Sequence, residues 1–89
     1  MIFLLQEEID DYEQFSKWFN GEAEPQIEAA GGKVLIQGVE ADNENMLHLV
    51  METPDPETVG AFMSDEAFTA ARIAAGVHVY TTKITFLKA

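Results

Sequence analysis

His48, within "MLHLVMET" (46–53), and His78, within "GVHVYTTKITFL" (76–87), are the only two histidines of the chain. An imidazole can serve as a general acid or base, or as a metal ligand, near neutral pH. A metal site needs histidine and carboxylate ligands at a workable spacing, and neither an H-x-H nor an HExxH motif is present. The chain has no cysteine, so thiolate ligands and disulfides are absent. The adjacent carboxylates Glu7–Glu8, Asp10–Asp11 and Asp65–Glu66 would need a shielded pocket to do acid–base work, and they read instead as solvated acids at helix starts. Gly31–Gly32 precedes a strand rather than a helix, the wrong order for phosphate capture, and no serine has a base nearby. No cofactor and no metal are therefore expected. Arg72 is the only arginine and sits on an alanine-rich helix. It could clamp a ligand carboxylate, or lay its stem along the helix and put its head in water.

The elements that position these residues follow from periodicity. "MIFLLQ" has the length of a strand, and "DDYEQFSKWFN" switches to helical period, with Tyr12, Phe15 and Phe19 on one face. Gly21 and Pro25 interrupt it, and "QIEAAGG" adds a helical turn that Gly31 and Gly32 end. "KVLIQGVE" and "MLHLVMET" are strands joined by the polar "ADNEN". Asp55 caps a helix with Pro56 in its first turn, Ser64 is expected to cap the next, and Gly76 stops it. "VHVYTTKITFL" (77–87) reads as the last strand. The order β-α-β-β-α-β over residues 1–89 is that of a single ferredoxin-like α+β domain, a four-stranded antiparallel sheet ordered 4-1-3-2 with two helical segments on one face.

"IFLL", "VLI" and "LVM" are apolar on both strand faces, as strands are when both faces are covered. Two helical segments cover one face, so a second copy packed sheet against sheet is expected on the other. A chain this short buries only about two-thirds of its unfolded surface, which also favours a dimer. Sixteen acids against five bases give a net charge of −11, which excludes nucleic acid as a partner. No apolar run spans a membrane, and "MIFLL" is too short for a signal core, so a cytoplasmic protein is expected.

"MLHLVMETPDPETVGAFMSDEAF" and "AAGVHVYTTKITFL" resemble the dimeric α+β barrel superfamily, the first as a third strand entering a helix through a W-x-S-like step, the second as an "aGV" entry to the last strand. That superfamily includes antibiotic-biosynthesis monooxygenases, muconolactone isomerases, haem-degrading enzymes and small uncharacterised proteins of marine bacteria, to which the "TKIT" strand is similar. The resemblance covers essentially the whole chain. It implies a homodimer and, if the protein is an enzyme, a cofactor-free oxygenase or isomerase acting on an apolar aromatic or polyketide-like substrate. The monooxygenases' pocket tryptophan corresponds to Met51 and their strand asparagine to Leu47, so those roles do not carry over.

A ligand would lie between sheet and helices, and Phe15, Trp18, Leu49, Met51, Phe62, Phe68 and Arg72 are the expected lining residues. Ala67, Ala70, Ala71, Ala74 and Ala75 are expected to face or flank the sheet, leaving either a close helix or space beneath it. Leu47, Leu49 and Met51 form a dry strand face that belongs under the helices. Met46, His48, Val50 and Glu52 form the opposite, mixed face. By the same alternation His78, Tyr80, Ile84 and Phe86 share one face of the last strand, so His48, His78, Tyr80, Ile84 and Phe86 are expected at the dimer interface. Carboxylates beside the histidines, Glu52 among them, would raise the imidazole pKa; burial alone would lower it.

Overall fold

The computed structural model of the protein describes residues 1–88. In β1 (Ile2–Glu8) the strand period turns Phe3, Leu5 and Glu7 inward and leaves Ile2 and Leu4 exposed. The chain then turns a corner held by Asn45, whose side-chain amide donates to the carbonyls of Ile9 and Asp10. Asp11 caps α1 (Tyr12–Trp18) by accepting from the Gln14 N–H at 2.9 Å. The helical run does not break at Gly21. It passes through one π turn (Phe19–Ala23) into α2 (Glu24–Ala29), with Pro25 in its first turn. Pro25 has no N–H to continue the ladder, and just ahead of it the Glu24 N–H reaches back to the Phe19 carbonyl, five residues away. Gly31 ends the run at φ 91°, with the Gly32 N–H bonded to the Ile27 carbonyl at 2.8 Å.

β2 (Lys33–Glu40) and β3 (Asn43–Glu52) form a hairpin whose turn is only Ala41–Asp42. The polar Asn43–Asn45 therefore belongs to β3 rather than to the connection, because the ladder already starts at the Glu40–Asn43 pair. Asp55 caps α3 (Pro56–Ser64), and the hydroxyl and N–H of Thr58, both bonded to its carboxylate, hold that carboxyl below its ordinary pKa. The cap of α4 (Glu66–Ala74) is Asp65, not Ser64: the charged acceptor takes the Phe68 N–H at 2.7 Å, while the Ser64 hydroxyl turns back to the Gly60 carbonyl. Gly76, at φ 89°, closes α4 as expected.

The last strand is shorter than the sequence suggests. Val77 makes one isolated bridge to Ile9, Val79–Thr81 form a 3₁₀ turn, and β4 is Lys83–Leu87. The Thr81 hydroxyl explains the break: it accepts from the Glu8 N–H at 2.9 Å and donates to the His78 carbonyl at 2.6 Å, taking up a backbone donor that a ladder would have used.

The sheet order is β2-β3-β1-β4, all neighbours antiparallel, with the helices on one face. This is the ferredoxin-like α+β fold. Under the helices lies a core that includes Phe3, Leu5, Phe15, Phe19, Leu47 and Leu49. On the open face the register aligns Ile36, Val50 and Leu4 across three strands, with Ile2 and Leu87 paired beside them. Ile36 is 62% exposed, Leu4 38% and Leu87 45%, so this face is an apolar surface with no cover in the single chain. Among the described residues no helix is long and apolar enough to cross a membrane.

Candidate functional site

Glu7 is the polar member of the inward row Phe3, Leu5, Glu7, and β3 sets Leu47 directly beside it. Arg72 lies in the last turn of α4, where its own carbonyl accepts the Val77 N–H at 3.0 Å and ties the helix end to the segment that bridges to Ile9. The two side chains meet beneath α4. Arg72 Nη2 donates to Glu7 Oε1 and to Thr82 Oγ1, each at 2.7 Å, and the Thr82 hydroxyl donates to Glu7 Oε1 at 2.9 Å. Glu7 is 3% exposed and Arg72 5%, so the pair is almost wholly withdrawn from solvent. An ion pair in such a place contributes little net stability against an apolar replacement, yet removing either partner strands a buried charge.

Beside this cluster is a cavity of about 50 Å³, open to solvent at one side. That is room for one or two water molecules. Phe15, Trp18, Leu49, Met51, Phe62, Phe68 and Arg72, named from the sequence as lining residues, all border this one cavity, and so does Glu7. The aromatic rings form a continuous wall: Phe62 stands edge-on to Phe68 at 5.0 Å between centroids, Trp18 is 5.7 Å from Phe68, and Phe15 meets Trp18 at 5.8 Å. Trp18, Phe62 and Met63 are only partly buried where they pack against the core.

Glu7 and Thr82 escaped the sequence reading. Glu7 is not a solvated acid: strand parity places it with Phe3 and Leu5, and Ile9 two residues on is again buried. That period, set against a lone arginine on an alanine-rich helix, was the available signal. Arg72 neither reaches water nor stands free to clamp a carboxylate, because Glu7 already holds it. The alanines of α4 are also placed differently from expectation. Ala67, Ala70 and Ala74 face solvent, and only Ala75 is buried, because Phe68 and Arg72 take the inward positions.

The histidines lie away from the cavity. His48 stands on the open face beside Gly38 and Gln6, with Nε2 2.6 Å from Glu40 Oε2. His78 sits at the corner between β1 and α1. Its Nε2 is 2.6 Å from Asp10 Oδ1 and its Nδ1 3.6 Å from Glu8, while its backbone N–H donates to the Glu8 carbonyl. The hydrogen bond to Asp10 raises the His78 pKa above its ordinary 6.5; desolvation opposes this, and the charges of Asp10 and Glu8 add to it. Tyr80 is 85% exposed on the 3₁₀ turn and stacks on His78 at 6.1 Å. Ile84 and Phe86 do not share a face with His78. They pair with the buried Leu5 and Phe3 and so point to the helical side, because the 3₁₀ turn resets the alternation. Among the described residues no three His, Asp or Glu side chains converge as a metal site.

No family model and no curated protein matches the chain. Solved structures do. An uncharacterised NIPSNAP domain protein from Burkholderia xenovorans superposes with a TM-score of 0.67 at 14% identity, over 99% of this chain and 92% of that one. An antibiotic biosynthesis monooxygenase gives 0.62 at 14% identity, over 100% and 98%. A 5-chloro-2-hydroxyhydroquinone dehydrochlorinase from Burkholderia phenoliruptrix, in complex with 2,5-dihydroxybenzoquinone, gives 0.52 at 18% identity, over 99% and 94%. The likeness is one of fold: this chain shares the ferredoxin-like α+β fold of these structures.

Proposed function

We propose that the protein is a cytoplasmic homodimer, joined sheet face to sheet face, that binds a small and mostly apolar ligand between the sheet and the helices of each subunit. The observation that carries the binding reading is the Glu7–Arg72–Thr82 cluster beside an aromatic-walled cavity. Folding alone gives no reason to bury a charge pair where apolar side chains would be equally stable. A small number of placed polar groups in an apolar wall is how pockets orient ligands. As it stands the cavity has room for water only, so an aromatic guest requires wall residues to move, of which Trp18, Phe62 and Met63 are only partly buried. Trp18 is the only tryptophan, so its fluorescence reports on the site directly. A screen of small aromatics should shift that emission saturably. A flat response to the whole screen, with no change in melting temperature, refutes the reading.

The dimer rests on the open face, where Ile2, Leu4, Ile36 and Leu87 are exposed together. Light scattering at micromolar concentration should give twice the 9.9 kDa chain mass. A mass of one chain there contradicts it.

A catalytic reading is the alternative, a cofactor-free monooxygenase or isomerase. It draws support from Glu7, a shielded carboxylate at the cavity that could accept a proton, and from the enzymes among the fold's neighbours. Oxygen uptake, or isotope exchange into a bound ligand, that is lost in Glu7→Gln would establish it. A ligand recovered unchanged leaves binding as the function.

A further inference from the structure

The hydrogen bonds of the buried cluster use only part of its capacity. Arg72 spends one nitrogen, Nη2, and Glu7 one oxygen, Oε1. Among the described residues Arg72 Nε and Nη1 and Glu7 Oε2 have no protein partner. No buried polar side-chain atom is sealed off without one either, so these atoms keep some accessibility. Both residues are at least nine-tenths buried and both border the cavity. The pair thus carries unused donors and an unused acceptor beside an apolar chamber, with Thr82 bonded to both partners.

From this geometry we propose that Glu7 and Arg72 act as a charge filter: the site selects a neutral ligand that carries a hydroxyl beside a second oxygen, and it rejects carboxylates. The proposal rests on the pocket reading above and names its ligand class. A hydroxyl donates to Glu7 Oε2, and the adjacent oxygen accepts from Arg72 Nε or Nη1. Such a ligand satisfies each free atom of the pair and brings no charge with it. A carboxylate is disfavoured twice. The arginine's charge is already balanced by Glu7 at 2.7 Å, so a second anion meets a repelling carboxylate together with the guanidinium. The anion must also shed its water in an apolar chamber walled by Phe15, Phe62 and Phe68, without a net countercharge to compensate. An unpaired arginine in the same place would have the opposite preference, since guanidinium binds carboxylate through two parallel bonds.

Catechol and benzoate, which share a ring size but differ in charge near neutral pH, test the filter. Their dissociation constants are read from Trp18 fluorescence on the full-length protein. Wild type should bind catechol at least about tenfold more tightly than benzoate. Glu7→Gln, which leaves the ring wall intact and frees the arginine, should improve benzoate binding about 10- to 100-fold and reverse the order. Benzoate binding as tightly as catechol in wild type overturns the filter and leaves the pocket standing. So does an E7Q variant, folded by circular dichroism, whose preference is unchanged. If neither compound nor any other small aromatic binds, the pocket itself fails and the filter with it. Should E7Q not fold, the wild-type ratio decides alone.

Discussion

The two faces of the sheet hold their acid–base side-chain pairs on different terms. On the helical face Glu7 meets Arg72 in a buried site with Thr82 as third member, beside aromatic rings. On the open face His48 meets Glu40 at nearly the same distance, 2.6 Å, yet in the single chain both side chains keep more than two-fifths of their surface exposed. Distance alone does not rank these pairs; surroundings do. In water a pair of charges exchanges one set of strong partners for another and gains little. Under the helices neither partner has an alternative, so each is indispensable to the other although the pair as a whole need not stabilise the fold.

The broadest way to break this contrast is to charge the open face itself. Leu4→Lys puts an ammonium in the middle of the apolar row formed with Val50 and Ile36. The proposed dimer should dissociate, and light scattering should fall to the mass of one 9.9 kDa chain. A variant that stays dimeric would show that the contact lies elsewhere.

Next in size is the buried pair. Arg72→Ala should lower unfolding stability by about 3–5 kcal/mol in urea titration, because Glu7 is left charged and alone. The double change Glu7→Leu with Arg72→Met should recover most of that loss, and it should abolish ligand selection while the fold survives. A single Arg72→Ala that costs no more than a surface substitution would mean that solvent reaches Glu7 freely.

The open-face pair should matter far less in the single chain: in the Leu4→Lys background, where the proposed dimer is open, His48→Ala is expected to change stability by no more than about 1 kcal/mol. The smallest effect is that of His78. Its folded pKa is raised, so its contribution is complete below about pH 6.5 and is lost as pH rises through the folded value. The melting temperature of His78→Gln should trail wild type at about pH 5.5 and approach it at about pH 8.5. A gap that widens with rising pH contradicts this assignment.

Much of the fold was legible because several helix ends carry their own chemistry. Asp55–Pro56 and the glycines 31 and 76 mark boundaries with local hydrogen bonds that need no tertiary context. The dry row Leu47, Leu49, Met51 was legible because period 2 sorts one strand into two faces. Three features resisted. The 77–87 run reads as unbroken strand, but the Thr81 hydroxyl competes with the ladder for the Glu8 N–H, which turned Ile84 and Phe86 to the unexpected face. His78 did gain a carboxylate, but from Asp10 and Glu8 across the corner rather than from a sheet neighbour such as Glu52. Glu7 was hidden by its neighbour: Glu7–Glu8 reads as one polar end of a strand, and only pairing with an arginine 65 residues away makes its burial tolerable.

The central claim is that ligand chemistry belongs to the helical face and assembly to the open one. Methyl NMR of the protein titrated with catechol tests it most directly. Leu49, Met51 and Met63 border the cavity, while Leu4, Ile36 and Val50 lie on the opposite face and serve as an internal control. Saturable shifts should be confined to the first three. Shifts centred on Leu4, Ile36 and Val50, with the cavity methyls unmoved, would place binding on the open face and contradict the account.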